Sequence, residues 1–328
     1  GDAMVGGGPR GYRPGISYVY ERSGSVWAAE AKIIPQVVGA SDQDFGQSVS
    51  ISGDTAVVGA PQFDDGALID SGAAFVFVRT GASWTEQQEL LPLDRASGDR
   101  FGYAVSISGD TAVIGAPYDD DNGSSSGSAY VFVRSGSVWT EQEKLLPLGG
   151  VAQDRFGDAV AISGDTVLIG VPVDDENGNA AGAAYVFVRS GSVWTEQQKL
   201  LAADGEPLDN FGYALSLSGD TAVIGAYRDD DNGGDAGSAY VFLRSGAVYM
   251  FFRSGSVWGQ QGKVVGSTGS PSENLGTSVA VSGDAMVGGG PRGYRPGISY
   301  VYERSGSVWA AEAKIIPQVV GASDQDFG

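Results

Sequence analysis

The residues able to do chemistry in this chain are its carboxylates. Histidine and cysteine are both absent from the 328 residues. That excludes histidine acid–base catalysis, Ser-His-Asp triads, cysteine nucleophiles, the usual zinc sites and disulfides. What remains is a set of acidic loops: "FDDGALIDSG" from Phe63, "YDDDNGSSSG" from Tyr118, "VDDENGNAAG" from Val173 and "RDDDNGGDAG" from Arg228. Adjacent carboxylates repel one another and favour a cation nearby. Asp119, Asp121 and Asn122 are therefore candidate calcium ligands, as are Asp174, Asp175 and Asn177, and Asp229, Asp231 and Asn232, in the later copies. The competing reading is a solvated acidic turn. Asp and Asn cap turns with their own side chains, Asn-Gly is a strong hairpin signal, and the spacing is not that of an EF-hand loop. Under either reading the loops line one rim and give it a negative field. The acids follow the sequence repeat instead of breaking it, so the expectation is a protein that is not an enzyme.

Composition narrows the partners. There are 20 Lys and Arg against 40 Asp and Glu, a net charge of −20. Such a surface repels DNA, RNA and anionic membranes. No apolar run approaches the roughly 18 residues that a membrane helix needs, so membrane insertion is not expected. The 52 glycines suit many tight turns, and helix formers never gather into a long periodic stretch. Gly1-Asp2-Ala3-Met4 reads as the middle of something, so any targeting segment is expected to lie outside this sequence.

The elements that must position the loops come from a repeat. Phe-Gly pairs begin at Phe45, Phe101, Phe156, Phe211 and Phe327, with Leu275-Gly276 as a variant. This divides the chain into modules 1–44 (partial), 45–100, 101–155, 156–210, 211–274 and 275–326. Each module holds four strand candidates: two short runs joined by Ser-Gly-Asp, a third such as "SAYVFVRSGS", and a fourth such as "VWTEQEKLLPL". Tyr130 and Phe132 alternate with Val131 and Val133, so the third strand should be buried on both faces. Small residues on one face of the first strand suit a place where modules converge. The fourth strand reads as a half-wet edge guarded by charges. A four-stranded antiparallel module repeated at this length is a propeller blade. The expected fold is all-β, a β-propeller of about six blades, five complete and one three-stranded. Trp27, Trp84, Trp139, Trp194, Trp258 and Trp309 supply one inter-blade packing residue per module.

Two features break the pattern. Residues 1–46 are identical to residues 283–328. Three readings stay open: a window on a longer tandem array, a subunit whose incomplete blade takes a strand from a neighbour to build a filament, or a duplication introduced when the sequence was assigned. The second feature is "YVFLRSG" at Tyr240–Gly246, echoed by "YMFFRSG" at Tyr249–Gly255. It reads as a strand copied in place, and an exposed apolar copy would be an association site.

Phe-Gly, then Gly-Ala-Pro about 14 residues on, then a Tyr-Val-Phe strand resembles the FG-GAP repeat of integrin α-subunits and bacterial surface proteins. Gly59-Ala60-Pro61 and Gly115-Ala116-Pro117 match fully; Gly170-Val171-Pro172, Gly225-Ala226-Tyr227 and Gly289-Gly290-Pro291 are degenerate. The bacterial version is the most similar. The resemblance implies an extracellular or cell-surface adhesive or structural propeller. In integrin-type repeats the calcium loop lies between the Phe-Gly and Gly-Ala-Pro strands. Here that interval is a tight Ser108–Thr111 or Ser163–Thr166 turn, and Asp110 alone cannot supply the six to eight oxygens calcium prefers, so that site does not carry over.

The leading expectation is a non-enzymatic extracellular module whose partners are copies of itself, in a filament or array, and an extracellular protein or glycan. The alternative is a calcium-dependent, integrin-like binder that uses the acidic loops.

Overall fold

The computed structural model describes residues 3–10, 13–23, 25–36, 44–81, 83–231, 233–245, 257–265, 274–292, 295–305 and 308–315. Among these residues every regular element is a β-strand. The fold is all-β, of the β-propeller class, with six antiparallel sheets. The first sheet holds three strands, β1 (Ala3–Arg10), β2 (Arg13–Ser23) and β3 (Val26–Ile33). The other five hold four each: β4 (Val49–Ser52), β5 (Thr55–Ala60), β6 (Ala73–Thr80) and β7 (Ser83–Leu90); β8 (Ala104–Ser108), β9 (Thr111–Ala116), β10 (Ser128–Ser135) and β11 (Val138–Leu145); β12 (Ala159–Ser163), β13 (Thr166–Val171), β14 (Ala183–Ser190) and β15 (Val193–Leu200); β16 (Phe211–Ser218), β17 (Thr221–Ala226), β18 (Ser238–Ser245) and β19 (Val257–Val265); and β20 (Ser278–Ser282), β21 (Ala285–Arg292), β22 (Arg295–Ser305) and β23 (Val308–Ile315). The copied segment Tyr249–Gly255 and the terminal Phe327-Gly328 lie outside the described residues.

Strands follow from the sequence. In β10 the residues Ser128 to Phe132 are buried without a break, as the two apolar faces require. The outer strand β11 is wet at its start and buried at Trp139 and Leu145. Hairpin turns such as Gly109-Asp110, between the paired residues Ser108 and Thr111, open on a glycine at φ 59. That positive φ matches the twist of the flanking strands.

The chain divides into two compact units, Gly1–Val167 with Arg189–Thr195, and Leu168–Val188 with Glu196–Gly328. In the first unit β6 is a core strand with two faces. Phe75 and Phe77 pack with Val19, Ile33 and Phe45. Ala74 and Val76 pack with Phe101, Ile114, Tyr130 and Trp139 of the following module. In the second unit Val223, Ala239 and Val241 meet Leu275, Met286, Tyr300 and Tyr302 in the same manner.

Hydrogen bonds stitch successive modules together. Ile107 N–H donates to Ser50 Oγ at 3.1 Å, Ile162 N–H to Ser106 Oγ at 3.2 Å, and Val281 N–H to Ser216 Oγ at 2.9 Å. The small serines of the inner strands thus satisfy backbone donors of the next inner strand. At the outer strands the register shifts by one residue between Val131 and Phe132, and likewise between Val76 and Phe77. Such a bulge re-aims a side chain. The extra residues are Gln142 and Gln87, and each accepts the indole N–H of the next module's tryptophan, Trp194 at 3.0 Å and Trp139 at 3.1 Å. Trp139, Trp194 and Trp258 are buried, as inter-blade packing predicts, whereas Trp84 and Trp309 are half-buried. The side chain of Trp27 lies outside the described residues.

The Phe-Gly and Gly-Ala-Pro motifs share one packing event. A Cβ placed on Gly115 would stand 2.0 Å from the carbonyl oxygen of Gly157, and one on Gly59 would stand 1.9 Å from that of Gly102. The glycine of one module's Gly-Ala-Pro therefore lies flat on the glycine of the next module's Phe-Gly. The phenylalanine turns into its own sheet: Phe101 meets Tyr130 edge-on at 5.5 Å and Phe132 at 5.9 Å.

Candidate functional site

Each acidic loop joins the second and third strands of its sheet, and the first three are folded by their own carboxylates. Asp119 Oδ1 accepts the N–H of Asp121 at 2.9 Å, and Asp120 Oδ1 accepts that of Ser125 at 2.6 Å. The next copy repeats this with Asp174 to Glu176 at 3.0 Å and Asp175 to Ala180 at 2.7 Å. These side chains cap turns, as the turn reading expects. The solvated part of that reading holds for Asp64, which is exposed, and fails for the first acid of the other three loops. Asp119, Asp174 and Asp229 are 2%, 4% and 2% exposed.

A buried carboxylate needs a partner, and the partner is a lysine from the outer strand. Lys144 Nζ lies 2.8 Å from Asp119, 2.6 Å from Asp121 and 2.8 Å from Asp94. Lys263 Nζ lies 2.6 Å from Asp229, 2.7 Å from Asp231 and 3.1 Å from Asp204. Lys199 Nζ reaches Asp174 at 2.7 Å and Glu176 at 2.5 Å. Each ammonium also stands over a tyrosine ring, at 5.1 Å from Tyr130, 5.3 Å from Tyr185 and 5.2 Å from Tyr240. The hydroxyl of Tyr130 donates toward Asp119 Oδ2 at 2.8 Å, and that of Tyr240 toward Asp229 Oδ2 at 2.6 Å.

The electrostatics follow. Burial works against the charge of Lys144, but the hydrogen bonds to Asp119, Asp121 and Asp94 outweigh it and raise its pKa well above the ordinary lysine value. Burial also works to raise Asp94, and hydrogen bonds from Lys144 and Tyr130 hold its carboxyl below the usual range. Burial, with the charge of Asp119 behind it, lifts the Tyr130 phenol far above its ordinary value. Asp99, beside this cluster, is pushed up to about 6 by burial, against the N–H of Ala96 and with the charge of Asp119 adding. Asp209 is pushed to about 6 in the same way beside Asp229.

The position a cation would take is thus filled by the chain's own ammonium. These clusters do not fit calcium, because a second positive centre would have to displace the lysine from oxygens it already holds. Among the described residues no group of three or more acidic side chains stands in an arrangement that could hold a metal ion. Asp119 and Asp121 do come together, as do Asp229 and Asp231. Asp174 pairs with Glu176 around Lys199, while Asp175 turns to its own loop. Asn122 is exposed, Asn177 reaches the carbonyl of Ala202 at 3.4 Å, and Asn232 lies outside the described residues. The residues that sequence reasoning missed are the lysines and tyrosines. A signal existed: Lys144 and Lys199 each follow the loop's first aspartate by 25 residues, with Glu89 at the same offset from Asp64.

Comparison with known proteins gives the family. Residues 27–77, 84–132, 139–187 and 194–242 each match the FG-GAP repeat, and together they make up more than half of the chain. Each matched segment runs from an outer-strand tryptophan to a third-strand phenylalanine of the next sheet, so the repeat spans the junction where the glycines stack. Over 133 residues the chain is 29% identical to integrin alpha-6 of Gallus gallus, a match covering 35% of this chain and 12% of that protein. A chain in the crystal structure of the mitotic checkpoint complex superposes with a TM-score of 0.54 at 12% identity, over 95% of this chain and 76% of that one, a likeness of fold alone. With its glycine junctions and four matched repeats, the chain belongs to the FG-GAP repeat family and is distantly related to integrin α-subunits.

Proposed function

We propose that this chain is a non-catalytic ligand-binding or adhesion module that works outside the cell, at a bacterial surface. One observation carries the reading: the clustered carboxylates that would serve as acid–base pairs or calcium ligands are spent on internal lysines. Catalysis by paired acids needs one carboxyl free to protonate a leaving group and another free to attack or to activate water. Asp119 and Asp229 are fixed by ammonium and phenol instead. Binding on a scaffold of this kind falls to residues that differ between modules. The test is a panel of immobilised extracellular proteins and glycans beside a panel of chromogenic glycosides. Saturable binding with no turnover is expected. Turnover that disappears in Asp119→Asn or Asp229→Asn would overturn the reading.

A further inference from the structure

The residue before each Phe-Gly, or its Leu-Gly variant, breaks the repeat. Asp44, Arg100, Arg155, Asn210 and Asn274 all hold the left-handed conformation there, with φ of 55, 57, 57, 54 and 50. Asn and Asp tolerate that conformation better than other side-chain-bearing residues, and a long side chain gains nothing from it. The asparagines serve the fold: Asn210 Nδ2 donates to the carbonyl of Pro172 at 2.9 Å, and Asn274 Nδ2 to that of Tyr227 at 3.2 Å. Arg100 and Arg155 do something else. Their guanidinium carbons lie over the ring of Tyr118, at 4.6 Å and 5.0 Å from its centroid. Tyr103 meets that ring edge-on at 6.2 Å. Asp158, lifted by burial to about 6, feels the charge of Arg155.

These arginines differ from the structural ones. Arg95, Arg134 and Arg189 each close an ion pair with an aspartate at 2.5–2.6 Å. Among the described residues Arg100 and Arg155 close none, in a chain whose net charge is −20. Two planar donor forks stay available on one tyrosine, at positions where the repeat elsewhere uses a shorter residue.

We propose that Arg100, Arg155, Tyr103, Tyr118 and Asp158 form a subsite for a carboxylated sugar residue at the end of a glycan. The proposal rests on the ligand-binding reading above and names its chemistry. A guanidinium fork matches a carboxylate with two parallel hydrogen bonds. Tyr103 contributes its ring edge, while the hydroxyl of Tyr118 and Asp158 supply a donor and an acceptor for ring hydroxyls, which a sugar acid has and an acidic peptide side chain lacks. A polyanion is disfavoured by the charge of the whole chain, so a single acidic sugar fits better than a sulfated polymer.

The experiment is calorimetry of the full chain with 3′-sialyllactose and with a glucuronate-terminated disaccharide, against lactose as the neutral control. The variants are Arg100→Asn and Arg155→Asn, which install the residue used by sister modules in the same backbone conformation and so leave the fold in place. Wild type is expected to bind at least one acidic sugar and not lactose. Each substitution should weaken binding about tenfold or more, the cost of one charge-assisted contact, and the double variant should abolish it. Equal binding of lactose, unchanged affinity in the double variant, or no heat with either acid at millimolar concentration would overturn the proposal. If the double variant still binds members of the protein panel, the subsite has failed and the adhesion reading stands. If wild type binds nothing on that panel either, both have failed.

Discussion

Two loops of the first unit occupy equivalent places and solve the same problem differently. In the 118–127 loop Asp119 is buried, a tyrosine hydroxyl reaches it from Tyr130, and Lys144 closes the charge. In the 63–72 loop all three parts are exchanged. Asp64 is exposed, Phe75 stands where Tyr130 stands, and Glu89 faces Phe75 in the register by which Lys144 faces Tyr130. Charge neutralisation moves outward, to Asp65 and Arg95 at 2.6 Å. Glu89 keeps a raised pKa from burial and from the charges of Asp65 and Glu86. The lesson is that the loop's first carboxylate goes inside where a lysine and a tyrosine come with it, as at Asp119, Asp174 and Asp229. The three residues are one device, present or absent as a set.

Breaking the set should show this, and the largest effect belongs to the cation. Lys144→Met keeps the length of the stem but strands Asp119 without its counter-charge. Removing one partner of a buried pair costs about 3–5 kcal/mol, and the low end is expected here because Tyr130 and the N–H of Asp121 still bind the carboxylate. Urea unfolding would measure it. A second change, Asp119→Asn, should recover part of the loss, since the uncompensated charge goes with it. Simple additivity of the two losses would mean that the pair is not coupled.

The hydroxyl comes next. Tyr130→Phe reproduces the ring already found at Phe75, so packing is retained and one hydrogen bond to a charged group is lost, worth about 1.5–3 kcal/mol. The same change made at Tyr240 should cost a similar amount, because its hydroxyl meets Asp229 at 2.6 Å. An unchanged unfolding midpoint in both variants would reduce the tyrosines to ring packing.

A smaller effect reads the field that the set leaves behind. Asp99 has a pKa lifted from 3.8 to about 6. The folded chain therefore binds a proton more readily than the unfolded chain across that interval. Its contribution favours folding below pH 4 and is lost as pH rises to about 6. Asp99→Asn keeps an acceptor for the Ala96 N–H and removes the titration. The variant should flatten the fall in stability between pH 4 and 6, and should gain about 1–2 kcal/mol over wild type at pH 8. A parallel pH profile in the two proteins would show that Asp99 titrates normally.

Much of the fold was legible in the residues because the signals are local and recur. Alternation in "SAYVFVRS" and the glycine-led turns determine each sheet on their own. The site was legible only in part. Asp119 and Asp121 announce themselves by being adjacent, but their partner Lys144 stands across a hairpin in a strand that reads as a charged edge. Single-residue reasoning assigns such a lysine to solvent. Only the shared offset of Lys144 and Lys199 from their loops, and its reversal to glutamate at Glu89, carries the pairing; the copied segment before Lys263 hides it in the fourth loop. The bulged glutamines were hidden for the same reason: nothing in "TEQQ" marks Gln87 as turned toward the indole of Trp139, and the register shift exists only once β6 and β7 are paired.

The smallest expected effect is the most discriminating. Wild type should show no change in melting temperature beyond about 1 °C between 10 mM calcium and EDTA, because Lys144, Lys199 and Lys263 hold the oxygens an ion would need. Were calcium bound with a Kd near 10 μM, 10 mM would be about a thousandfold excess and would contribute about 4 kcal/mol, a shift of several degrees. The comparison sharpens in Lys144→Met. There Asp94, Asp119 and Asp121 lose their shared ammonium, but they stand in no arrangement that could hold a metal ion. Calcium should therefore leave the variant as unmoved as wild type. A calcium-dependent rise in the variant alone would show that the lysine occupies a latent metal site, and a rise in both would place a metal site elsewhere.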